Sequence, residues 1–410
     1  MIAPSASASP GDQLNSWAVR PEDAHRNVAV ADSGRVFVDA LSESGYKPVS
    51  YLEHGYENDW VRTETGPSTW SGLATGPDNY AVNVRVTVDG PASYRVHDGD
   101  TWTDSSTFYD GPVHRAYIDA NSDGDVSVLL QLRPDGGMIL ARLLQSGEWT
   151  FVELPSGPIP LRAADLVLNE QGKTTVVWAI PFEGTSIINR WIVREGSDRP
   201  AQSNRVITVN GTRVPLSIVS DGAGRETIIA GNQLWRQPHT STPHEYRMRT
   251  SIHAGLAAGE SATRVAWPIL TETGYAIRTL LFDDVADRRQ HVIWSHPVTP
   301  TRCHAGSGLD NLALGIGMVP GGRSYVAVGI RRGSETSGTC RSITALLVVN
   351  RTDQVLNYQS IGDFSNGDEF QVAAGAAGPI AVEFKSWDDH ADPMGEDQPD
   401  GRYSLVFFQR

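Results

Sequence analysis

Short apolar runs separated by tight turns carrying Gly, Asn, Asp or Pro recur along the whole chain. In Asn27-VAVADSGRVFV-Asp39, Tyr117-IDANSDGDVSVLL-Gln131, Leu166-VLNEQGKTTVVWA-Ile180 and Leu312-ALGIGMVPGGRSYVAV-Gly329, an apolar run enters a Gly-containing turn and a second leaves it in the opposite direction. No long window sustains apolar residues at i, i+3, i+4 and i+7, so the pattern predicts many short strands and hairpins rather than helices. The clearest unit spans 116–154, with strands predicted at 116–119, 125–132, 138–144 and 148–154. Its turns, Asn121-SDG and Pro134-DGG, supply residues that tolerate the positive φ of tight hairpins.

The repeat has a measurable period. Gly34, Gly76, Gly124, Gly172, Gly222, Gly274, Gly321 and Gly378 mark the predicted turns, at successive gaps of 42, 48, 48, 50, 52, 47 and 57 residues. Four-stranded propeller blades repeat every ~40 to 50 residues. A chain of 410 residues also exceeds the ~250 to 300 residues that one hydrophobic core supports, which a ring of small repeated units resolves. The predicted fold is therefore all-β, a single β-propeller of eight blades, with seven as the alternative count because blades five and six are irregular.

The two ends complete each other. The last unit supplies strands at 370–374, 379–385 and 403–409 and no fourth, while Asn15-SWAVRPE precedes blade one as an orphan. Pairing the N-terminal strand into the last blade would cover both exposed sheet edges. Residues 1–14 are then expected to form a flexible segment and 15–410 the propeller domain. On these repeats and turns the chain resembles the broad group of exported bacterial β-propellers, a likeness of fold over almost everything after residue 14. The S-x-D-x-G-x-x-W box of sialidase-type blades and the paired G-H and W-D of Trp-Asp repeats are missing, so neither family's function carries over.

The net charge of -14 and the lack of a Lys/Arg cluster argue against nucleic acid or anionic lipid as a partner. Lys stands only at 47, 173 and 385 against many Arg, which reads as a coding bias without a mechanistic role. No stretch is long and apolar enough to insert in a membrane. The start, Met1-IAPSASASPGDQ, has the small polar character of a mature exported chain, so a secreted or extracellular location is expected. There Cys303 and Cys340 would oxidise to a disulfide. They are 37 positions apart and would tie two loops together, constraining the unfolded chain by about 4 kcal/mol in the entropic model.

Candidate chemistry gathers in loops. In a propeller, the loops joining blades and those between second and third strands share one face, and 251–264, 298–310, 331–341 and 386–402 make that face the elaborated one. The last of these concentrates Trp387, Asp388, Asp389, His390 and Asp392. Oxygen ligands beside an aromatic suit sugar hydroxyls or a hard cation; His25, across the ring closure, and His304 are further candidate ligand contacts. Asp119-A-Asn121-S-Asp123-G-Asp125 matches the opening of a calcium loop and resembles the calcium turns of FG-GAP propellers. Its twelfth position is Leu130 rather than an acid, and an Asp/Asn/Gly hairpin turn is the competing reading. Metal-binding His spacing and a G-x-S-x-G elbow are absent from the sequence. The expected function is a secreted, non-catalytic recognition module that binds a glycan or protein partner through the long-loop face, with Ca2+ as the one cofactor considered. The alternatives are a carbohydrate-active hydrolase or lyase with carboxylates in the central funnel, and a docking subunit of an exported assembly.

Overall fold

The structure is a computed structural model that describes residues 13–18, 24–42, 45–52, 55–57, 68–87, 90–132, 137–144, 146–155, 163–212, 214–237, 244–248, 254–272, 274–283, 289–296, 312–333, 340–360, 370–375, 380–386 and 402–408. The described residues form strands and turns with no helix, arranged as eight four-stranded antiparallel sheets. Seven sheets take four consecutive strands in chain order, and the eighth combines the first strand, Gln13–Ala18, with the last three. In that sheet Trp17 faces Leu405 and Ser16 faces Val406. The first strand thus begins two residues before the expected domain boundary.

The innermost strand of each sheet is Ala24–Val30, Ser68–Thr75, Val113–Ala120, Ala163–Leu168, Leu216–Ser220, Gly255–Ala258, Leu312–Met318 or Gln371–Ala374. Each contacts the innermost strand of the next sheet, and the last contacts the first, so the chain is a β-propeller whose sheets are its blades. Glycine permits the closest of these approaches: a Cβ on Gly375 would lie 2.3 Å from the Ala31 carbonyl oxygen of blade one.

Burial follows from this packing. The second strand of a blade is covered on both faces by neighbouring blades, so Tyr80–Thr87 and Val126–Leu132 are buried along nearly their whole length. That is why they read as continuous apolar runs instead of alternating ones. The outer strand Trp149–Leu154 alternates exposed and buried positions. Cores accordingly lie between blades: Val82, Val84 and Val86 of blade two pack on Ala116, Val128 and Leu130 of blade three. Trp149 stacks on Phe108 of the preceding blade with ring centroids 4.1 Å apart.

Side chains also bridge successive blades. Around the inner strands, Gln371 Oε1 accepts from Val28 N at 3.1 Å, and Asn27 Nδ2 donates to the Ser71 carbonyl at 2.8 Å. Asp119 Oδ2 accepts from Leu168 N at 2.8 Å, and Asp165 Oδ2 from Ile218 N at 2.9 Å. Arginines do the same further out. Arg142 of blade three donates to the Arg194 and Gly172 carbonyls of blade four. Lys173 and Arg190 of blade four hold the buried Glu226 of blade five at 2.8 and 2.7 Å, and Arg264 of blade six pairs with Asp353 of blade seven.

Two expectations about loops change. Gly274 opens the third strand of blade six, Gly274–Asp283, whereas the first hairpin of that blade turns at 259–261. The segment 251–264 is not one long loop, because it contains the strand Gly255–Ala258 and the start of Ala262–Thr271. A four-residue strand that starts on Gly255 and runs into Gly259 is too short to show alternation and resembles loop in sequence.

Candidate functional site

On the face that carries the tight hairpin turns, a cavity of about 430 Å³ opens between blades two and three. Its polar rim is built from Asp78, Asn79, Tyr80, Tyr94, Asp98 and Asp123, and Val96, Leu143 and Leu144 add apolar wall. The volume lies within the ~300 to 1,000 Å³ that small-molecule sites occupy. Lys, Arg and His are absent from the lining.

Local sequence explains the concavity. In blades one, three and four the first hairpin closes the same way, the N–H of Ala31, Asn121 or Asn169 donating to the carbonyl four residues on. Gly34, Gly124 and Gly172 take the positive φ there. Blade two reads Gly76-Pro-Asp-Asn-Tyr80 and closes likewise, Gly76 N donating to the Tyr80 carbonyl at 3.0 Å, but its inner bond runs from Tyr80 N to the Pro77 carbonyl at 2.9 Å and Asp78, not a Gly, takes the positive φ of 52°. Gly76 lets this turn settle on its neighbour, since a Cβ there would lie 2.9 Å from the Tyr80 ring and 3.2 Å from Gly124 Cα.

The rim is positioned from behind. Arg35 of blade one donates to His97 Nε2 at 3.0 Å, which leaves Nδ1 to donate to the Asn79 carbonyl at 3.0 Å. Phe37 and Trp102 meet the His97 ring edge to face at 5.0 and 5.3 Å. Tyr94 is fixed by an edge contact to Trp149 at 5.0 Å. Rotamers locked in this way keep a site preorganised.

The rim groups hold defined charge states. Asp98 Oδ1 accepts from Asp100 N and Thr101 N, both at 3.1 Å, and the bonds from Thr101 and Asp100 hold its carboxyl below the usual range. Burial, with the charges of Tyr94 and Asp125 adding, pushes the Tyr80 hydroxyl up to about 12. Tyr80 thus stays a neutral donor while Asp98 stays an anion, a combination that accepts hydroxyl hydrogens and stacks on an apolar ring face.

The sequence candidates fall elsewhere. Trp387, Asp388, Asp389, His390, Asp392, His304 and Cys303 lie outside the described residues. His25 belongs to the inner strand Ala24–Val30, opposite Ala40, and Cys340 opens the strand Cys340–Val349 opposite Gly333. Of the calcium candidates, Asp119 accepts from Leu168 N, Asn121 Oδ1 accepts from Asp123 N and Asp125 N at 3.1 and 3.0 Å, and Asp123 stands exposed on the cavity rim. The Asn121 oxygen therefore closes a hairpin turn. Among the described residues, no three His, Cys, Asp or Glu side chains gather to hold a metal ion.

Two carboxylates do occupy the inner ring. Burial pushes Asp119 and Asp165 each up to about 7 against the pull of backbone N–H groups, those of Leu168 and Ala120 for Asp119 and of Ile218 and Leu166 for Asp165. Both retain some water access. Asp165 spends both oxygens on backbone, Oδ1 on Leu166 N at 2.9 Å and Oδ2 on Ile218 N. Their work is to brace inner strands. Of the cavity residues only Asp123 was singled out from sequence, as a calcium candidate; the signal available for the rest was the Pro77-Asp-Asn stretch of Gly76-PDN-Tyr80, where the first hairpins of blades one, three and four place a Gly at positive φ.

No protein-family model matches the chain, and no curated protein matches it. Among solved structures it is similar to a prolyl endopeptidase, at 12% identity and TM-score 0.45, over 89% of this chain and 46% of that one. It is also similar to the lectin SapL1, solved in complex with alpha methyl fucoside, at 12% identity and TM-score 0.40, over 80% of this chain and 96% of that one. The chain thus spans less than half the length of the peptidase it matches.

Proposed function

We propose that the protein is a recognition propeller that binds a glycan without transforming it, and that one sugar unit sits in the cavity between blades two and three. The observation that carries this reading is the composition of that cavity: two tyrosines, an amide and three carboxylates around an apolar wall of Val96, Leu143 and Leu144. Aromatic rings cover the C–H face of a sugar, and carboxylate and amide oxygens accept from its hydroxyls. The inner-ring carboxylates are committed to backbone N–H groups, which favours recognition over funnel hydrolysis. The seat lies on the turn face, so the reading moves the site away from the long-loop face expected from sequence. A secreted location fits such a role.

Leu144→Trp would fill the cavity from its half-buried apolar wall. A glycan array and saturation-transfer NMR should find saccharides bound by the native chain and released by the variant, with circular dichroism unchanged. If no saccharide binds at millimolar concentration, or Leu144→Trp binds as the native chain does, the proposal is wrong. Capture of a protein with no saccharide signal would point instead to a docking role.

A further inference from the structure

An aromatic row leaves the cavity along the seam between blades two and three. Tyr94, in the cavity wall, meets Trp149 at 5.0 Å and Phe108 at 5.8 Å, both edge to face, and those two rings stack on each other. Beyond them Tyr109 of blade two stands 6.3 Å from Phe151 of blade three, the rings tilted by 44°. Strand alternation accounts for one side of the row. In Trp149–Leu154, Val152 and Leu154 pack into the core shared with blade four, so Trp149, Phe151 and Glu153 turn toward blade two. The other side needs a defect in the strand. In Ser106–Tyr109 the neighbours Phe108 and Tyr109 would point to opposite faces of a regular strand. The register instead steps from Ala92 opposite Tyr109 to Ser93 opposite Thr107, which makes Phe108 the extra residue of a β-bulge and aims both rings at blade three. Gly111 leaves room for the Tyr109 ring, since a Cβ there would lie 2.6 Å from it.

The row opens to water at its outer end. Phe108, Tyr109 and Trp149 are half-buried, whereas Phe151 is 44% exposed and Glu153 beside it is exposed too. Burial, with the Glu153 charge adding, pushes the Tyr109 hydroxyl above the usual phenol range, so it remains a neutral donor next to a carboxylate acceptor. An aromatic face with a donor and an acceptor at its edge repeats the chemistry of the cavity. Ala92, the partner of Tyr109, lies two residues before Tyr94 on the strand Ala92–Asp98, which puts this shelf roughly 7 Å along the sheet from the cavity wall. We infer that Tyr109 and Phe151 form a second saccharide subsite, so that the ligand is an oligosaccharide running from the cavity along the seam of blades two and three. This rests on the glycan reading above and sets the size of its ligand. Two rings offer at most ~500 Å², well short of the ~1,200 to 2,000 Å² of a stable protein interface. A linked sugar needs far less, because seating the first unit already holds the next one near the shelf.

The test uses the full chain and titration calorimetry, comparing glucose, mannose and N-acetylglucosamine with cellotetraose, mannotetraose and chitotetraose. In the series that binds, the tetrasaccharide should bind about thirtyfold more tightly than its monosaccharide. Phe151→Leu keeps an apolar side chain of similar bulk without the ring; it should reduce that margin to about fourfold, the statistical advantage of four identical units for one seat. Monosaccharide affinity and circular dichroism should not change. Phe151→Trp should hold or widen the margin, and it decides the matter if Phe151→Leu unfolds: a margin lost in a folded Phe151→Trp chain overturns the inference. Equal affinity for both lengths in the native chain, or a margin untouched by Phe151→Leu, overturns the shelf and leaves the cavity reading standing. Silence of every saccharide overturns both. Sedimentation velocity checks the other occupant, since a native dimer that Phe151→Leu dissolves would make the shelf a contact between copies of the chain and overturn the inference.

Discussion

Asp353→Asn is the sharpest probe of how the blades are held together. Asp353 sits in the last hairpin turn of blade seven with φ 62°, a conformation for which Gly or Asn is the usual residue. Its carboxylate nonetheless reaches into the gap between blades and pairs with Arg264 of blade six, both side chains fully buried. Arg264 also donates to Ser324 Oγ at 3.0 Å, Thr279 Oγ1 at 3.3 Å and the Asn350 carbonyl at 2.8 Å. Burial draws the guanidinium pKa down and Asp353 opposes that, so the carboxylate is what keeps the cation tolerable there. Asparagine removes the charge and keeps the turn, leaving a buried cation with neutral acceptors only. Breaking a buried pair from one side costs about 3 to 5 kcal/mol; the three remaining acceptors place this case near about 3 kcal/mol. Arg264→Met/Asp353→Asn removes both charges and should recover most of the loss, to within about 1 kcal/mol of the native chain. Equilibrium unfolding in denaturant, followed by tryptophan fluorescence, reads each value; unfolding rates serve if refolding is incomplete. A loss under about 1 kcal/mol for Asp353→Asn, or a double variant no more stable than the single, would refute the account.

Asp165 gives a pH prediction. Its folded pKa is raised to about 7, so its contribution to stability is complete below the ordinary carboxyl pKa and is lost as pH rises through 7. The slope is at most about 1.4 kcal/mol per pH unit, reduced by the water that reaches it. Asp165→Asn should flatten the fall of the unfolding midpoint between pH 5 and 8, and parallel native and variant profiles would contradict this. Deleting residues 1–18 should lower the thermal midpoint and promote association, because the strand Arg402–Phe408 loses its partner Gln13–Ala18. A synthetic peptide of residues 11–20 should restore the monomer; a truncated chain with unchanged midpoint and size would count against closure by this strand. For Cys303 and Cys340, we propose a disulfide: alkylation without reductant should leave both thiols unlabelled, and mass spectrometry should find one bridged peptide pair. Two labelled thiols would dismiss it.

Much of the fold was legible in sequence because a strand and its hairpin are local. Blade three was read at 125–132 and 138–144 and stands at Val126–Leu132 and Met138–Leu143. The Gly-marked turns gave the period, and the missing fourth strand of the last unit pointed to Gln13–Ala18. Blade six was misread at Gly274, since Gly255–Ala258 is only four residues long and gives no alternation to count. The excess of arginine carried no legible meaning either, because Arg264 finds Asp353 across 89 positions, a separation that no periodicity links.

Sequence alone determined the hairpins, their spacing and the continuous apolar runs of the second strands, since these depend on turn chemistry and on alternation within a few residues. Tertiary structure decided the rest. Asp78, Tyr94 and Asp123 are unremarkable residues on separate turns and strands, and they become the wall of one cavity because neighbouring blades bring surfaces distant in the chain into contact. That grouping of tyrosines, carboxylates and apolar wall exists nowhere in the chain until the ring packs.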